Sequence, residues 1–235
     1  PKGFIDALAS ARQMVTEQMK YLGVPHFDFS KSTPAQQQEE MAIGIACFGE
    51  EFITPLDERL AFQLKSPYTF WSLKVFNPAL GRYRVAGYLS MFRFPPDFLD
   101  DILTGQRIER DITLNEVLRF EKGTPFDVYI DVLATDPGLP PGVRSWYGWL
   151  IVKRFANETL NLLSNGFKIR TLYTVTATPE GDKLVQGLGF HRMVGKSKAK
   201  GRIAYKYDLD EAGIARLQEL SKRGEDFDAD SRAEN

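Results

Sequence analysis

The sequence predicts a mixed α/β (α+β) fold in which one central sheet is flanked by helices. A hairpin pattern rich in aromatic and β-branched residues spans 70–94, and a second hairpin pattern spans 191–209. Between them, residues 126–177 have the pattern strand, helix, strand, and a helical crossover makes the two strands that it joins parallel. The sheet is therefore expected to contain both antiparallel and parallel strands. With 235 residues, of which 43% are hydrophobic, the chain is long enough for one large buried core.

The N-terminal part of the chain is predicted to be mainly helical. Apolar residues recur at every third or fourth position from Phe4 to Leu22, which is typical of a helix with one buried face. An alternating apolar pattern at 24–29 indicates a short strand. We expect residues 1–56 to form a helical extension that packs on the core.

A second helix is predicted to begin beside Pro34. Ser32 or Thr33 resembles a helix N-cap, and proline is common in the first turn because its missing N–H has no partner there. The helical pattern continues to about Phe52, and a further helical segment follows Pro55.

The first hairpin is followed by a polar segment. Pro95 and Pro96 end its second strand, since proline cannot donate a ladder hydrogen bond, and a short helix is expected to start there. Residues 105–125 carry mixed charges, with a second short helix predicted from Leu114 to Arg119. This segment is interpreted as an insertion over one end of the sheet.

The strand that begins at Phe126 is expected to be central, because both of its faces are mostly apolar. Alternation predicts two sets of side chains on opposite faces: Val128, Ile130 and Val132 on one, and Asp127, Tyr129, Asp131 and Leu133 on the other. The following helix is predicted from about Trp146 to Leu163, with Asn165-Gly166 as its left-handed end.

The C-terminal part continues the sheet and then leaves it. A strand at 168–177 precedes a short helix that starts at Pro179, and Gly189 is expected to cap that helix. After the second hairpin, a polar helix is predicted at 211–223. Residues 210–235 are thus expected to be a helix and an acidic, disordered tail.

Three segments resemble the GNAT superfamily of acyl-CoA-dependent N-acyltransferases, as does the order of the elements. They are VAGYLSMFRF at 85–94, LATDP at 133–137 and KLVQGLGF at 183–190. The resemblance covers residues 57–209, which would be the acyltransferase domain. It implies a GNAT-like sheet whose parallel strands four and five splay apart after a bulge.

The resemblance also implies how acetyl-CoA or another acyl-CoA would bind. The pantetheine arm would enter the gap between the splayed strands and bond to main-chain groups of Leu133 and Thr135. The pyrophosphate would lie at the N-terminus of the next helix, where unpaired N–H groups favour anions. The loop at 138–148 departs from the family pattern, being one residue too long and containing two prolines. The candidates for a remodelled anion site are Gly142, Val143, Arg144 and Ser145, and the alternative is a plain strand-to-helix loop.

Acyl transfer to an amine requires a base to take a proton from the amine and an acid to protonate the departing thiolate. Asp131 is the first choice for the base, and Tyr129 lies on the same strand; Glu109 or Glu116 in the insertion are further candidates. In the family a tyrosine on the final helix often acts as this acid, and this chain has Val185 at or near the matching position. Tyr173 is therefore a candidate acid. The alternatives are that Asp131 is a structural carboxylate and that Tyr173 is a packing residue. If the amine loses its proton through water, the reaction requires no side-chain base.

Composition limits the other functions. A net charge of −1 gives no overall attraction to nucleic acid or to an anionic membrane. Cys47 is the single cysteine, so no internal disulfide or cysteine-rich zinc site can form, and we expect it to be a buried small hydrophobe. His26 and His191 lack metal-ligand spacing, and no metal is predicted. No apolar run approaches the roughly 18 residues of a membrane span, and no signal-peptide pattern precedes the first helix, so a cytoplasmic monomer or homodimer is expected.

Two rival functions remain open at this point. One is a GNAT-like binding or regulatory module without acyl-CoA turnover. The other is an acyl-carrier-dependent synthase of the acyl-homoserine-lactone type, in which basic residues of the last hairpin would dock an acidic carrier. These residues are Lys196, Lys198, Lys200, Arg202 and Lys206. Lysines that block edge-to-edge pairing of the hairpin are the alternative explanation.

Overall fold

A seven-stranded mixed sheet in the order β1-β2-β3-β4-β5-β7-β6 is the centre of the computed structural model. The structure describes residues 27–77, 80–194 and 201–222. The strands are β1 (Phe27–Lys31), β2 (Phe70–Asn77), β3 (Arg82–Phe92), β4 (Pro125–Thr135), β5 (Lys168–Thr176), β6 (His191–Arg192) and β7 (Ile203–Asp208). Only the β4–β5 pair is parallel among the pairings of these strands. The predicted fold class is confirmed.

Helices cover both faces of the sheet. They are α1 (Pro34–Phe48), α2 (Leu56–Lys65), α3 (Pro96–Thr104), α4 (Pro141–Ser164), α5 (Pro179–Gly187) and α6 (Glu211–Lys222). We call the side that carries Tyr88, Ser90 and Tyr129 the α1 face, because α1, α2 and α3 pack there. The side that carries Leu89, Met91 and Ile130 packs against α4 and is called the α4 face.

The start of α1 follows the predicted capping pattern. The hydroxyl of Thr33 accepts from the N–H of Gln36, and the Gln36 side chain accepts from the N–H of Thr33, which together form a capping box. Gly49, with φ of 98°, interrupts the helix at Phe48. The predicted helix to Phe52 is therefore too long, because residues Glu50–Phe52 form a separate 3-10 turn.

The predicted helix from Leu114 to Arg119 is wrong. The N–H of Leu118 donates to the carbonyl of Arg93 at 2.8 Å, which ties this segment to the end of β3 instead of to a helical turn. Glu116 accepts from the hydroxyl and the N–H of Thr113 in a local turn. The insertion contains a 3-10 turn at Glu109–Asp111 in place of that helix.

A bulge in β4 changes which side chains share a face. Ser90 is opposite Val132, whereas Met91 is opposite Ile130, so Asp131 is an extra residue on β4. As a consequence Val132 packs with Tyr88 on the α1 face and Leu133 packs on the α4 face. The predicted alternation is therefore wrong beyond Asp131, because a bulge shifts the two-residue period by one.

β4 and β5 separate beyond this bulge. Their parallel pairing ends at Ile130 opposite Thr174, although β4 continues to Thr135 and β5 to Thr176. The splayed strands that the resemblance implies are present. The gap between them opens at the carboxyl ends of both strands, where loops position binding residues in α/β sheets.

The remaining elements follow the predicted order. Gly166 and Gly189 both have φ of 89° just beyond α4 and α5, where a left-handed residue ends a helix. α6 packs on α4, as the last described element. The predicted helix at 4–22 and the acidic tail lie outside the described residues. The division into 1–56, 57–209 and 210–235 stays a prediction.

Candidate active site

The gap between β4 and β5 exposes main-chain groups of β4. The N–H of Asp136 donates to the carbonyl of Ala86 on β3 at 2.9 Å. Because main-chain groups alternate along a strand, those of Leu133 and Thr135 point away from β3 and into the gap. β3 can approach β4 closely because it has glycine at position 87: a Cβ there would lie 2.7 Å from the carbonyl oxygen of Ala134.

Asp131 lies at the bulge, where the gap begins. Its side chain is partly exposed, and its Oδ2 accepts a hydrogen bond of 2.8 Å from the hydroxyl of Ser90. The pKa of Asp131 is raised to about 7: burial and then the negative charge of Glu109 raise it, while the Ser90 hydrogen bond, Arg59 and Arg202 oppose that rise. A carboxylate with a pKa near neutrality can accept a proton from a substrate at neutral pH.

Tyr129 is fully enclosed on the same face as Asp131. It is 1% exposed, and its hydroxyl donates to Oε1 of Glu109 at 2.5 Å. Nη2 of Arg202 donates to the same oxygen at 2.6 Å. Burial and the adjacent Glu109 carboxylate hold the pKa of Tyr129 well above its ordinary value. Tyr129 thus joins the strand to the insertion at Glu109, whereas Glu116 faces Thr113.

Tyr173 lies on β5, directly opposite Tyr129 in the parallel pairing. It is partly exposed and packs against the apolar cluster that contains Tyr129. The three predicted catalytic side chains, Asp131, Tyr129 and Tyr173, therefore lie together at the closed end of the gap.

The predicted anion site is part of a helix. α4 begins at Pro141, five residues before the predicted start, and the N–H of Arg144 donates to the carbonyl of Pro140 at 2.9 Å. The main-chain donors of Arg144 and Ser145 are thus used within the helix. Gly142 and Val143, in the first turn, retain N–H groups without an intrahelical partner.

The two bulky residues of this helix turn away from β5. Trp146 makes an edge-to-face contact with Phe27 on β1, with ring centroids 6.2 Å apart. Tyr147 is buried in the core beneath the α4 face, near Arg84. Since β1 lies at the far edge of the sheet, the Trp146 contact directs that side chain away from the gap.

Charged groups of both signs lie at the mouth of the gap. The thiol of Cys47 is 3.6 Å from the carbonyl oxygen of Thr135, and Cys47 is exposed, so the prediction of a buried cysteine is wrong. The reason is that all four residues of the last turn of α1, 45–48, are exposed. The pKa of the Cys47 thiol is raised, mainly by partial loss of solvent; Arg144 opposes this rise and Asp136 adds to it, so both charges lie near the thiol. Asp136 is itself paired with Arg84 at 2.5 Å.

Sequence reasoning missed a buried polar network beside the site. Glu40 of α1 is 0% exposed and accepts hydrogen bonds from Arg59 of α2 at 2.5 Å and from Ser72 of β2 at 2.6 Å, and a third from Ser32. The Arg59 guanidinium also lies 4.1 Å from the ring centre of Phe70. A signal was present for Ser72 and for Ser90, since each is a lone polar residue at an apolar position of a strand. Nothing local marked Glu40.

No group of three His, Cys, Asp or Glu side chains that could hold a metal ion occurs within 27–77, 80–194 and 201–222. A membrane-crossing helix, of sufficient length and hydrophobicity, is not found in the same ranges.

Solved structures with the GNAT fold resemble this chain. The loading GNATL domain of CurA from Lyngbya majuscula matches with a TM-score of 0.50 and 12% identity, over 78% of this chain and 98% of that domain. Ard1 from Thermoplasma volcanium matches with a TM-score of 0.48 and 12% identity, over 77% and 95% of the two chains. The putative acetyltransferase yncA from Salmonella typhimurium, solved with acetyl-CoA, matches with a TM-score of 0.46 and 12% identity, over 80% of this chain and 96% of that chain.

No protein-family model matches the sequence, and no curated protein matches it. At 12% identity, the match to the CurA domain establishes the fold alone. The seven-stranded order and the splayed β4–β5 pair agree with it. The chain therefore has the GNAT fold, and its activity has to be argued from its own residues.

Proposed function

We propose that this protein is an N-acyltransferase that moves an acetyl or longer acyl group from acyl-CoA to an amine of a small molecule or a protein. The observation that carries the proposal is the position of Asp131, a carboxylate with a pKa of about 7 at the point where β4 and β5 separate. A base with this pKa is ionised in about half of the molecules at neutral pH, and a neutral amine is the nucleophile that acyl transfer requires.

Each residue of the site has a role in this proposal. Asp131 takes the proton as the amine nitrogen bonds to the acyl carbonyl carbon. The carbon–sulfur bond then breaks, and Tyr173 gives a proton to the thiolate. Tyr129 is too buried to exchange a proton with substrate, so its part is to hold Glu109 over the site. Acyl-CoA supplies the activated acyl group.

The residues along the gap fit an acyl-CoA in part. The main-chain groups of Leu133 and Thr135 are oriented to bind an amide-containing arm as an added strand. Gly142 and Val143 supply two main-chain donors for phosphate, and the exposed side chain of Arg144 adds a positive charge. Against this, Pro140 and Pro141 have no N–H to donate.

A second candidate function follows from that last observation. With few donors at the start of α4 and the Asp136 carboxylate nearby, an anion is held weakly there. The chain would then be a GNAT-like binding module that takes another ligand in the gap. The basic hairpin residues 196, 198 and 200, on which a carrier-dependent synthase would depend, lie outside the described residues.

Isothermal titration with acetyl-CoA and with CoA, followed by mass spectrometry of an amine panel incubated with acyl-CoA, tests the proposal. We expect binding and an acylated product that is lost in Asp131→Asn. Binding without turnover of any amine favours the module, and the absence of heat at millimolar ligand contradicts both the proposed enzyme and its cofactor.

Arg144→Gln refines the binding test. Loss of one exposed positive charge is expected to weaken acetyl-CoA binding about fivefold, because such contacts contribute about 1 kcal/mol. S-acetyl-pantetheine, which lacks the diphosphate, is the matched control and should bind both proteins equally. Equal weakening for the two ligands would contradict a phosphate site at Arg144.

A further inference from the structure

Ser90 is a buried polar residue in the middle of the most apolar part of β3. It is 0% exposed, and its neighbours Leu89 and Met91 belong to the main core. Its hydroxyl donates to Oδ2 of Asp131 at 2.8 Å, across 41 residues of sequence. A serine at a fully buried strand position has to have its hydrogen bond satisfied, and here a carboxylate satisfies it.

The hydrogen bond involves one oxygen of Asp131 only. Among the described residues, Oδ1 of Asp131 makes no hydrogen bond, and the side chain is partly exposed. The bulge between Ser90 and Met91 places Asp131 on the α1 face beside Ser90. One carboxylate oxygen is thus fixed to β3, and the other has no hydrogen-bond partner among the described residues.

We propose that Ser90 is the positioning residue of the acyltransfer site, which holds Oδ2 of Asp131 so that Oδ1 accepts the proton of the acceptor amine. This inference rests on the proposed function, since it takes Asp131 as the base. Ser90 does not touch the amine and acts through Asp131. A base whose rotamer is fixed loses less entropy in reaching the geometry of proton transfer.

Other groups also act on Asp131, and each stays in place when Ser90 is changed. Glu109 of the insertion raises the pKa of Asp131, and Arg59 of α2 and Arg202 at the start of β7 lower it. The negative charge of Asp131 raises the pKa of two neighbouring phenols, those of Tyr88 on β3 and Tyr129 on β4. Among the described residues Ser90 alone donates a hydrogen bond to the Asp131 carboxylate, and it is neutral, so its removal tests this hydrogen bond without changing any charge.

The experiment measures the pKa of Asp131 directly, by carbon-13 NMR titration of its carboxyl group. The carboxyl signal of Asp131 is assigned as the one that is absent in Asp131→Asn. Ser90→Ala removes the donor, and Ser90→Cys replaces it by a weak donor of similar size. We expect the pKa of Asp131 to rise by about one to two pH units in Ser90→Ala, because a hydrogen bond to a charged group stabilises the ionised form by that much. Ser90→Thr keeps the hydroxyl and should retain the wild-type pKa.

The pH profile of kcat/KM supplies the functional readout. In Ser90→Ala the acid limb should move upward with the pKa of Asp131, so that the rate at pH 7 falls about fivefold or more and recovers at higher pH. Ser72→Ala is the matched control, since Ser72 is equally buried on the neighbouring strand but bonds to Glu40. It should lower thermal stability comparably without moving the limb.

Two results would overturn the inference: an Asp131 pKa in folded Ser90→Ala or Ser90→Cys that equals the wild-type value, or an equal shift in Ser72→Ala. An Asp131 pKa in folded Ser90→Thr that differs from the wild-type value would also overturn the inference. If the wild-type protein acylates no amine, the proposed function fails, while the titration, which contains no substrate, still decides whether Ser90 controls Asp131.

Discussion

Glu40 and Asp131 are two carboxylates on the same face of the sheet, yet their surroundings differ. Glu40 is 0% exposed and accepts from the Arg59 guanidinium and from two serine hydroxyls, those of Ser32 and Ser72. Asp131 is partly exposed, accepts from Ser90 alone, and has no ion-pair partner among the described residues.

This difference separates a structural carboxylate from a chemical one. Burial raises the pKa of both groups, but around Glu40 the Arg59 charge and three hydrogen bonds oppose it. Both oxygens of Glu40 are hydrogen-bonded, so it links α1 to α2, to β2 and to Ser32 just after β1. Asp131 retains an open oxygen and a pKa of about 7. The number of partners, more than burial, therefore decides which carboxylate is available for catalysis.

The largest expected effect is that of Asp131→Asn on activity. Removing a general base is expected to lower kcat/KM by roughly 10²- to 10⁴-fold, measured with the amine found in the panel. The same variant should be more stable than wild type at pH 8. The folded-state pKa of about 7 exceeds the ordinary value of 3.8, so wild-type stability falls as pH rises from about 4 to 7, and the asparagine removes this loss.

Thermal unfolding at pH 5 and at pH 8 checks the stability arm of this prediction. The advantage of Asp131→Asn should be smaller at pH 5, where only part of the loss between about pH 4 and pH 7 has occurred, and largest at pH 8. A variant that is less stable than wild type at pH 8 would make Asp131 a structural carboxylate like Glu40.

Glu40→Gln should affect stability instead. It leaves the 4% exposed Arg59 as an uncompensated buried charge, which costs about 3 to 5 kcal/mol of unfolding free energy in urea titration. The double variant Glu40→Gln/Arg59→Met removes both charges and should recover part of the loss. A loss below about 1 kcal/mol in the single variant would show that the ion pair is not desolvated.

Ser32→Ala is expected to have a smaller effect on the same network. It removes one of the hydroxyls that bond to Glu40 and should lower the unfolding free energy by about 1 to 2 kcal/mol. Ser164→Ala, which removes an exposed hydroxyl in the last turn of α4, is the control and should change it by less than about 0.5 kcal/mol. Equal losses in the two variants would contradict a special role for the buried hydroxyl.

The smallest effect is expected from Glu109→Gln. Its negative charge raises the pKa of Asp131, so its removal should lower that pKa, and with it the acid limb of kcat/KM, by about half a pH unit. Glu116→Gln changes the charge of the same segment by the same amount but lies against Thr113, and should leave the limb in place. A shift of the acid limb to higher pH in Glu109→Gln would contradict the statement that the Glu109 charge raises the pKa of Asp131.

Much of the scaffold could be predicted because its signals are local. The Thr33 cap, the two hairpins and the glycines after α4 and α5 depend on neighbours within a few residues, where sequence patterns are informative. The start of α4 was misplaced although a local signal existed, since proline at Pro141 is typical of a first helical position.

The candidate site was predictable only in its outline. Asp131 and Tyr173 stand out as polar or aromatic residues on strands at the gap, and the structure places them together. Their partners did not stand out, because Ser90 and Arg202 lie 41 and 71 residues from Asp131 along the chain. Glu40 lies in a polar stretch, QQQEEM, that predicts an exposed helix face, and Arg59 on another helix makes its burial favourable.

The sequence by itself determined the order of the elements, the mixed sheet and the segment that contains the candidate base. These properties follow from periodicity and from the conformational limits of proline and glycine, which act over short distances. The tertiary structure decided which oxygen of Asp131 is held, which carboxylate is fully paired, and where the gap opens. Each of these depends on strand register and on the bulge opposite Ser90, where a shift of one residue exchanges the faces of the sheet.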